Sequence, residues 1–134
     1  MAGKLLTEPE GYEVLRRAGI PVPAYGLAKD ADEAVRIARE IGFPVVLKIV
    51  SPDIVHKSDI GGVVHAVHDP AEVRSAYQGI LSRVKDRMPD AAVHGIIVEQ
   101  EMPPGLEVLI GGKTDPTFGK VLTFGLGGTL VEVL

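Results

Sequence analysis

Apolar and polar positions alternate along this chain in two different periods, and the change of period marks its organisation. Up to about residue 90, apolar residues recur at helical spacing between short β-type runs; from His94 onward only β-type patterning remains. Thr7-Glu8-Pro9-Glu10 predicts a helix start: Thr7 caps, Pro9 suits the first turn, and Glu10 completes a capping box. That helix runs through Tyr12, Val14 and Leu15 to Ala18, where Gly19 ends it. Ile20-Pro21-Val22-Pro23 must be extended, because each proline restricts its predecessor, and a short strand is expected over 24–28. Asp30 opens a second helix whose buried stripe is Ala34, Ile37, Ala38 and Ile41; Gly42 closes it and Pro44 forbids continuation. A third helix starts at Asp69-Pro70-Ala71-Glu72 and ends at Met88-Pro89-Asp90. Its apolar face is Val73, Ala76, Tyr77, Ile80 and Val84, and Arg74, Arg83, Lys85 and Arg87 are expected in solvent.

The later strands are expected over 95–102, 106–110 and 118–124, with turns at Pro103-Pro104-Gly105 and at 111–116. Helices and strands in this order, with late hairpins, predict an α/β or α+β fold. The final run, Leu130-Val131-Glu132-Val133-Leu134, is apolar to the last residue, without a turn or polar cap. It reads as the front part of a longer domain, or as a segment that a missing piece covers.

Within this pattern, 45–67 holds the chemistry. Lys48 stands among Val45, Val46, Leu47, Ile49 and Val50, and a lysine inside a strand is costly unless it finds an anion. Pro52 breaks the run, a polar loop follows with Asp53, His56, Lys57, Ser58 and Asp59, and Gly61-Gly62 closes it before 63–67 resumes the strand pattern. Glycine N–H groups approach an oxyanion closely and lysines supply point charges, so the loop reads as a phosphate clamp. An ordinary hairpin with a solvated tip fits the same residues. On the clamp reading, Lys48→Met should keep or raise stability while abolishing any stabilisation by nucleotide.

Composition narrows the partners. The chain has 134 residues, 46% of them hydrophobic, with 14 basic against 18 acidic side chains and a net charge of −4. No basic stripe exists to release phosphate counterions, which argues against nucleic acid, and any anion site must be local. The absence of cysteine excludes disulfides and thiolate metal sites and fits a reducing cytoplasm. No signal core and no apolar run of about 18 residues is present, so a soluble protein away from membranes is expected.

Several tempting motifs fail. Gly112-Lys113-Thr114 lacks the earlier glycine of a P-loop, since position 107 is Glu107, and Asp115-Pro116 follows in place of a helix. Gly125-Leu126-Gly127-Gly128-Thr129-Leu130 lacks the third glycine of a dinucleotide fingerprint. His65 and His68, three apart in a strand pattern, would project to opposite faces and recruit no carboxylate cluster, so no metal ligand is assigned. Of the four histidines, His56 alone sits in a loop beside two lysines and glycines, where proton relay or nucleophilic work is conceivable; a bystander role fits equally. Glu99 and Glu101 share one face of their strand, which reads plainly as solvated. Glu107 is flanked by Leu106, Val108, Leu109 and Ile110, and a carboxylate there can accept from ribose hydroxyls or a lysine.

LTEPEGYEVLRRAGIPVP, FPVVLKIVSPDIVHKSDIGGV and VEQEMPPGLEVLIGGKTDPTFGKVLTFGLGGTLVEVL together resemble the ATP-grasp β part of ADP-forming acyl-CoA synthetases (acetate–CoA ligases), over essentially the whole chain. The resemblance implies an ATP-grasp type of fold, incomplete at its C-terminal end, with a first subdomain over 1–103 and the start of a second over 104–134. It implies that Lys48 contacts nucleotide phosphates and that 56–62, with Lys57, Ser58, Gly61 and Gly62, covers them. Glu99, Gln100, Glu101 and Met102 would form the hinge whose backbone meets adenine, and Glu107 would meet the ribose. It also implies ATP or ADP with Mg²⁺, a CoA-binding alpha subunit or domain carrying a phosphohistidine, and a phosphoryl-transfer role for His56. The family's acidic and Asn magnesium ligands have no counterpart here, where Glu132 is the single late carboxylate, so turnover by the chain alone is not expected. Two other readings stand beside this one: the ATP-grasp region of a regulatory synthetase-like or acetyltransferase protein, and a non-catalytic interaction domain.

Overall fold

A computed structural model of the chain describes residues 4–127. The chain divides into two compact units, Met1–Met102 and Pro103–Leu134. The run 130–134, with Glu132, and the Gly128-Thr129 pair lie outside the described residues.

In the first unit the order is α1 (Glu8–Arg17), β1 (Tyr25–Ala28), α2 (Ala31–Ile41), β2 (Val45–Val50), β3 (Val63–Val67), α3 (Pro70–Arg87) and β4 (Gly95–Gln100), with a 3₁₀ turn at Ser58–Ile60 before β3. The caps act as the side chains dictate. Asp30 and Asp69 each accept the amide three residues on, from Glu33 and Glu72, at 2.8 Å. Glu10 reaches back to the Thr7 amide at 2.8 Å and its hydroxyl at 3.0 Å. The Thr7 amide, with Lys4 beside it, holds the Glu10 carboxyl down at about 2.

The four strands form one antiparallel sheet in the order β1-β4-β2-β3. Strand alternation gives it two unlike faces. Val45, Leu47, Ile49, Ile96, Val98 and Ala28 join the core with α2 and α3, and Gly26 lets Ile37 of α2 approach, since a Cβ there would lie 2.9 Å from it. All five residues expected on the apolar face of α3 are buried. At roughly 25 cal/mol per Å² of apolar surface, this helix-covered face is the main source of stability. The opposite face carries Val46, Lys48 and Val50 from β2 with Ile97 and Glu99 from β4. Helix α1 buries no residue of its own.

Three sequence expectations change. First, β3 bulges, with His65 and Ala66 together spanning the register step that β2 crosses at Val46. Ala66 has a φ of 55°, so simple alternation does not place His65 and His68. Second, Arg83 is half-buried rather than solvated. Third, the second unit is a hairpin of β5 (Val108–Asp115) and β6 (Gly119–Leu126), so the strand reaches past Gly111 and Gly112 to Asp115 instead of turning at 111. Gly111 pairs with Thr123 so closely that a Cβ would come 2.7 Å from its hydroxyl, which explains a glycine in mid-strand. Leu106 and Glu107 precede β5.

Candidate functional site

The sheet face opposite the helices builds its site from Lys48 outward. In the register Lys48 lies across from Ile97, and Glu99 is its diagonal neighbour on the same face. Lys48 and Glu99 form an ion pair, with Glu99 only 4% exposed. The other Glu99 oxygen accepts from the Tyr12 hydroxyl at 2.7 Å. The plain reading of Glu99 as solvated therefore fails: β1, which pairs with β4 and sets Tyr25 opposite Glu99, and α1 close over it.

Glu8, in the first turn of α1, completes the cluster. Its Oε1 accepts from Lys48 Nζ at 2.9 Å and its Oε2 from Lys57 Nζ at 3.2 Å. Two lysines, one from β2 and one from the loop beyond it, thus converge on a single carboxylate. Burial pushes the Glu8 carboxyl up, but the hydrogen bonds and charges of Lys48 and Lys57 outweigh it and hold it below its ordinary value. Burial likewise lowers the Lys48 ammonium, and bonds to Glu99 and Glu8 more than reverse that, leaving it raised. Burial and the Glu99 and Glu8 carboxylates push the Tyr12 phenol upward, so it stays a donor. The cluster holds two cations and two anions and is balanced as it stands. A phosphate entering it would compete with Glu8 for both ammonium groups.

Sequence reasoning did not find Glu8 or Tyr12. The available signal was Lys48 itself, whose apolar surroundings demand an anion without saying which one.

The other candidates are placed as follows. His56 and Ser58 are exposed, and His56 makes no side-chain hydrogen bond among the described residues. Gly61 has a φ of 72°, and Gly62 is buried with its amide on Lys57 O at 2.8 Å. A Cβ on Gly62 would lie 2.6 Å from Ile49, so the close approach of loop and strand requires glycine there. The Gln100 amide is spent on Ala24 O at 2.8 Å and that of Glu101 on Pro44 O at 3.3 Å, whereas the Met102 amide has no backbone partner among the described residues. The Glu101 carboxylate turns to the bulge, accepting the Ala66 amide at 3.1 Å, with His65 Nδ1 at 3.7 Å. Glu107 belongs to the second unit, is exposed, and accepts the Gly127 amide at its carbonyl at 2.9 Å. No helix among the described residues is long and apolar enough to cross a membrane.

An antiparallel sheet backed by two helices, with an ion-paired strand lysine and a glycine-closed loop, is an α+β arrangement of the ATP-grasp type. Residues 2–134 match the ATP-grasp domain, and the chain belongs to that family. It is 46% identical over 96% of its length to the beta subunit of the ADP-forming acetate–CoA ligase I of Pyrococcus furiosus, of which it spans 56%. It is 45% identical, again over 96% of its length, to the ADP-forming 4-hydroxybutyrate–CoA ligase of Nitrosopumilus maritimus, of which it spans 18%. Among solved structures, acetyl-coenzyme A synthetase 1 of Ca. Korarchaeum cryptofilum, in complex with coenzyme A and Ca-AMPCP, superposes with a TM-score of 0.92 at 51% identity, covering 96% of this chain and 56% of that one. A biotin carboxylase of Campylobacter jejuni, 20% identical with a TM-score of 0.65, shares the fold. The chain thus spans about half the length of the beta subunit it matches.

Proposed function

We propose that this chain is the nucleotide-binding part of an ADP-forming acid–CoA ligase and works with a CoA-binding alpha subunit or domain, in the cytoplasm. The observation that carries the reading is the convergence of Lys48 and Lys57 on one carboxylate, because two ammonium groups aimed at one anion can grip a polyphosphate in the same way. On this reading the units Met1–Met102 and Pro103–Leu134 are the first ATP-grasp subdomain and the start of the second.

Lys48 and Lys57 hold phosphate oxygens, while Ser58, Gly61 and Gly62 shape the loop over them. Residues 99–102 form the hinge against adenine, to which the Met102 amide, without a backbone partner among the described residues, donates. Glu107 accepts from the ribose. His56, exposed and uncommitted, receives the phosphoryl group. Its ring nitrogen forms a bond to phosphorus as the N–P bond of a partner phosphohistidine breaks, and a β-phosphate oxygen of ADP then displaces it to give ATP. Support for the partner comes from the related Korarchaeum synthetase, solved with coenzyme A and Mg-AMPPCP and with its phosphohistidine segment pointing towards the nucleotide site.

The magnesium that accompanies the nucleotide would take its protein ligands from outside the described residues. No group of three His, Asp or Glu side chains among them is placed to hold a metal, and Glu8 and Glu99 are committed to lysines.

Calorimetry on the full-length protein tests the reading. ADP should bind the wild type, Lys48→Met should abolish that binding, and His56→Ala should leave it nearly intact while slowing ATP formation from acyl-CoA, ADP and phosphate by about a hundredfold or more. A wild type that binds no adenine nucleotide would favour a non-catalytic interaction domain instead.

A further inference from the structure

Helix α3 carries a glycine in its middle, which disfavours the helix relative to alanine. A Cβ at this Gly79 would come 2.9 Å from Nη1 of Arg83, one turn further on. The same side chain presses on a second glycine: a Cβ at Gly61 would lie 2.6 Å from Arg83 Cδ and Nε. The half-buried arginine therefore lies against two positions where a methyl group would displace it. From there its Nε donates to Gly61 O at 2.8 Å. One turn later, Arg87 Nη1 donates to Asp59 O at 3.0 Å. Two guanidinium groups of one helix thus grip two carbonyls of the loop that carries Lys57.

The grip is passed on to the lysines through the backbone. Next to Gly61, Gly62 donates its amide to Lys57 O at 2.8 Å and accepts the amide of Ile49, the neighbour of Lys48, at 2.8 Å. A loop fixed at 61 is consequently fixed at 57 and against β2. We infer that Arg83, seconded by Arg87, is a positioning residue for the nucleotide phosphates. It holds the loop on α3 so that the Lys57 ammonium meets the same anion as Lys48, and it acts through the Gly61 carbonyl without touching the ligand. The inference rests on the reading of the two lysines as phosphate ligands. A guanidinium suits the task because it stays charged at every working pH and its planar fork is rigid. Without it the Gly61 carbonyl loses its partner and the loop is free to open locally.

The test uses the full-length protein with Arg83→Met, Arg83→Lys and Gly79→Ala. The measurements are ADP affinity by calorimetry, hydrogen exchange of peptides covering 57–62, and KM for ADP against KM for the acyl-CoA. Arg83→Met should weaken ADP about tenfold, speed exchange at 57–62, and leave the acyl-CoA KM within about twofold. Arg83→Lys should recover part of the affinity, and Gly79→Ala should reproduce the loss by pushing the guanidinium aside. Unchanged ADP affinity in Arg83→Met beside a wild type that binds ADP overturns the inference alone. So does a uniform loss of every kinetic constant together with a fallen melting temperature, which marks a merely structural arginine. A wild type that does not bind ADP overturns the nucleotide reading and this inference with it.

Discussion

The two units of the chain draw on the same kinds of apolar residue and use them differently. In Met1–Met102, the inward positions of β2 and β4, among them Leu47, Ile49 and Ile96, are fully buried because α2 and α3 lie over them. In the hairpin, the register puts Val108, Ile110, Leu122, Phe124 and Leu126 on one face, yet Ile110 is 70% exposed, Phe124 76% and Leu122 85%. Alternation makes a face; burial needs a second layer, and a two-stranded ribbon is marginal without one. Apolar patterning therefore reports the demand for a partner and leaves open whether the partner is in hand.

The sharpest way to break this contrast is a paired truncation. Ile80→Ala, under the sheet, should cost about 2–5 kcal/mol in urea unfolding, whereas Leu122→Ala should stay within about 0.5 kcal/mol. A comparable cost at Leu122 would mean that the hairpin face is covered in solution.

Polar burial in the first unit gives the next largest effect. The clamp reading expected Lys48→Met to be neutral or stabilising, but the structure reverses that expectation. Removing the lysine strands the buried Glu99 and takes one partner from Glu8. The cost should be about 2 kcal/mol, below the 3–5 typical of fully buried pairs because Lys48 is partly exposed. Adding Glu99→Gln should recover much of it. No recovery would show that the two side chains do not depend on each other.

A smaller change sharpens the role of α1, none of whose own residues is fully buried yet which contributes Glu8. With that carboxylate neutralised in Glu8→Gln, an entering phosphate no longer competes with it for the two ammonium groups. ADP should bind about fivefold tighter by calorimetry, about 1 kcal/mol. Weaker binding would instead make Glu8 a necessary support for the lysines.

The least effect is on pH dependence. The folded Glu8 carboxyl sits below its ordinary 4.5, so its contribution is fully present above that value and is lost as pH falls through the lower folded one. Urea midpoints measured at neutral pH and near pH 3 should therefore fall further for the wild type than for Glu8→Gln. Lys48, raised above 10.5, contributes below that value and loses its share as pH rises through the folded one. Parallel acid profiles for the two proteins would remove Glu8 from the account.

Local grammar was enough for the three helices, their Thr7, Asp30 and Asp69 starts, the buried face of α3, and the demand of Lys48 for an anion, because each rests on residues within a turn or two of one another. Tertiary structure alone decided which anion that was. Lys48 meets Glu8 across 40 positions and Tyr12 meets Glu99 across 87, pairings that exist only once the strand order β1-β4-β2-β3 is in place. The same holds for Arg83, solvated by its helical phase yet seated on Gly61 across 22 positions because α3 packs beside the loop. Periodicity states which side of an element seeks burial; it carries no information on what the neighbouring element brings to that side.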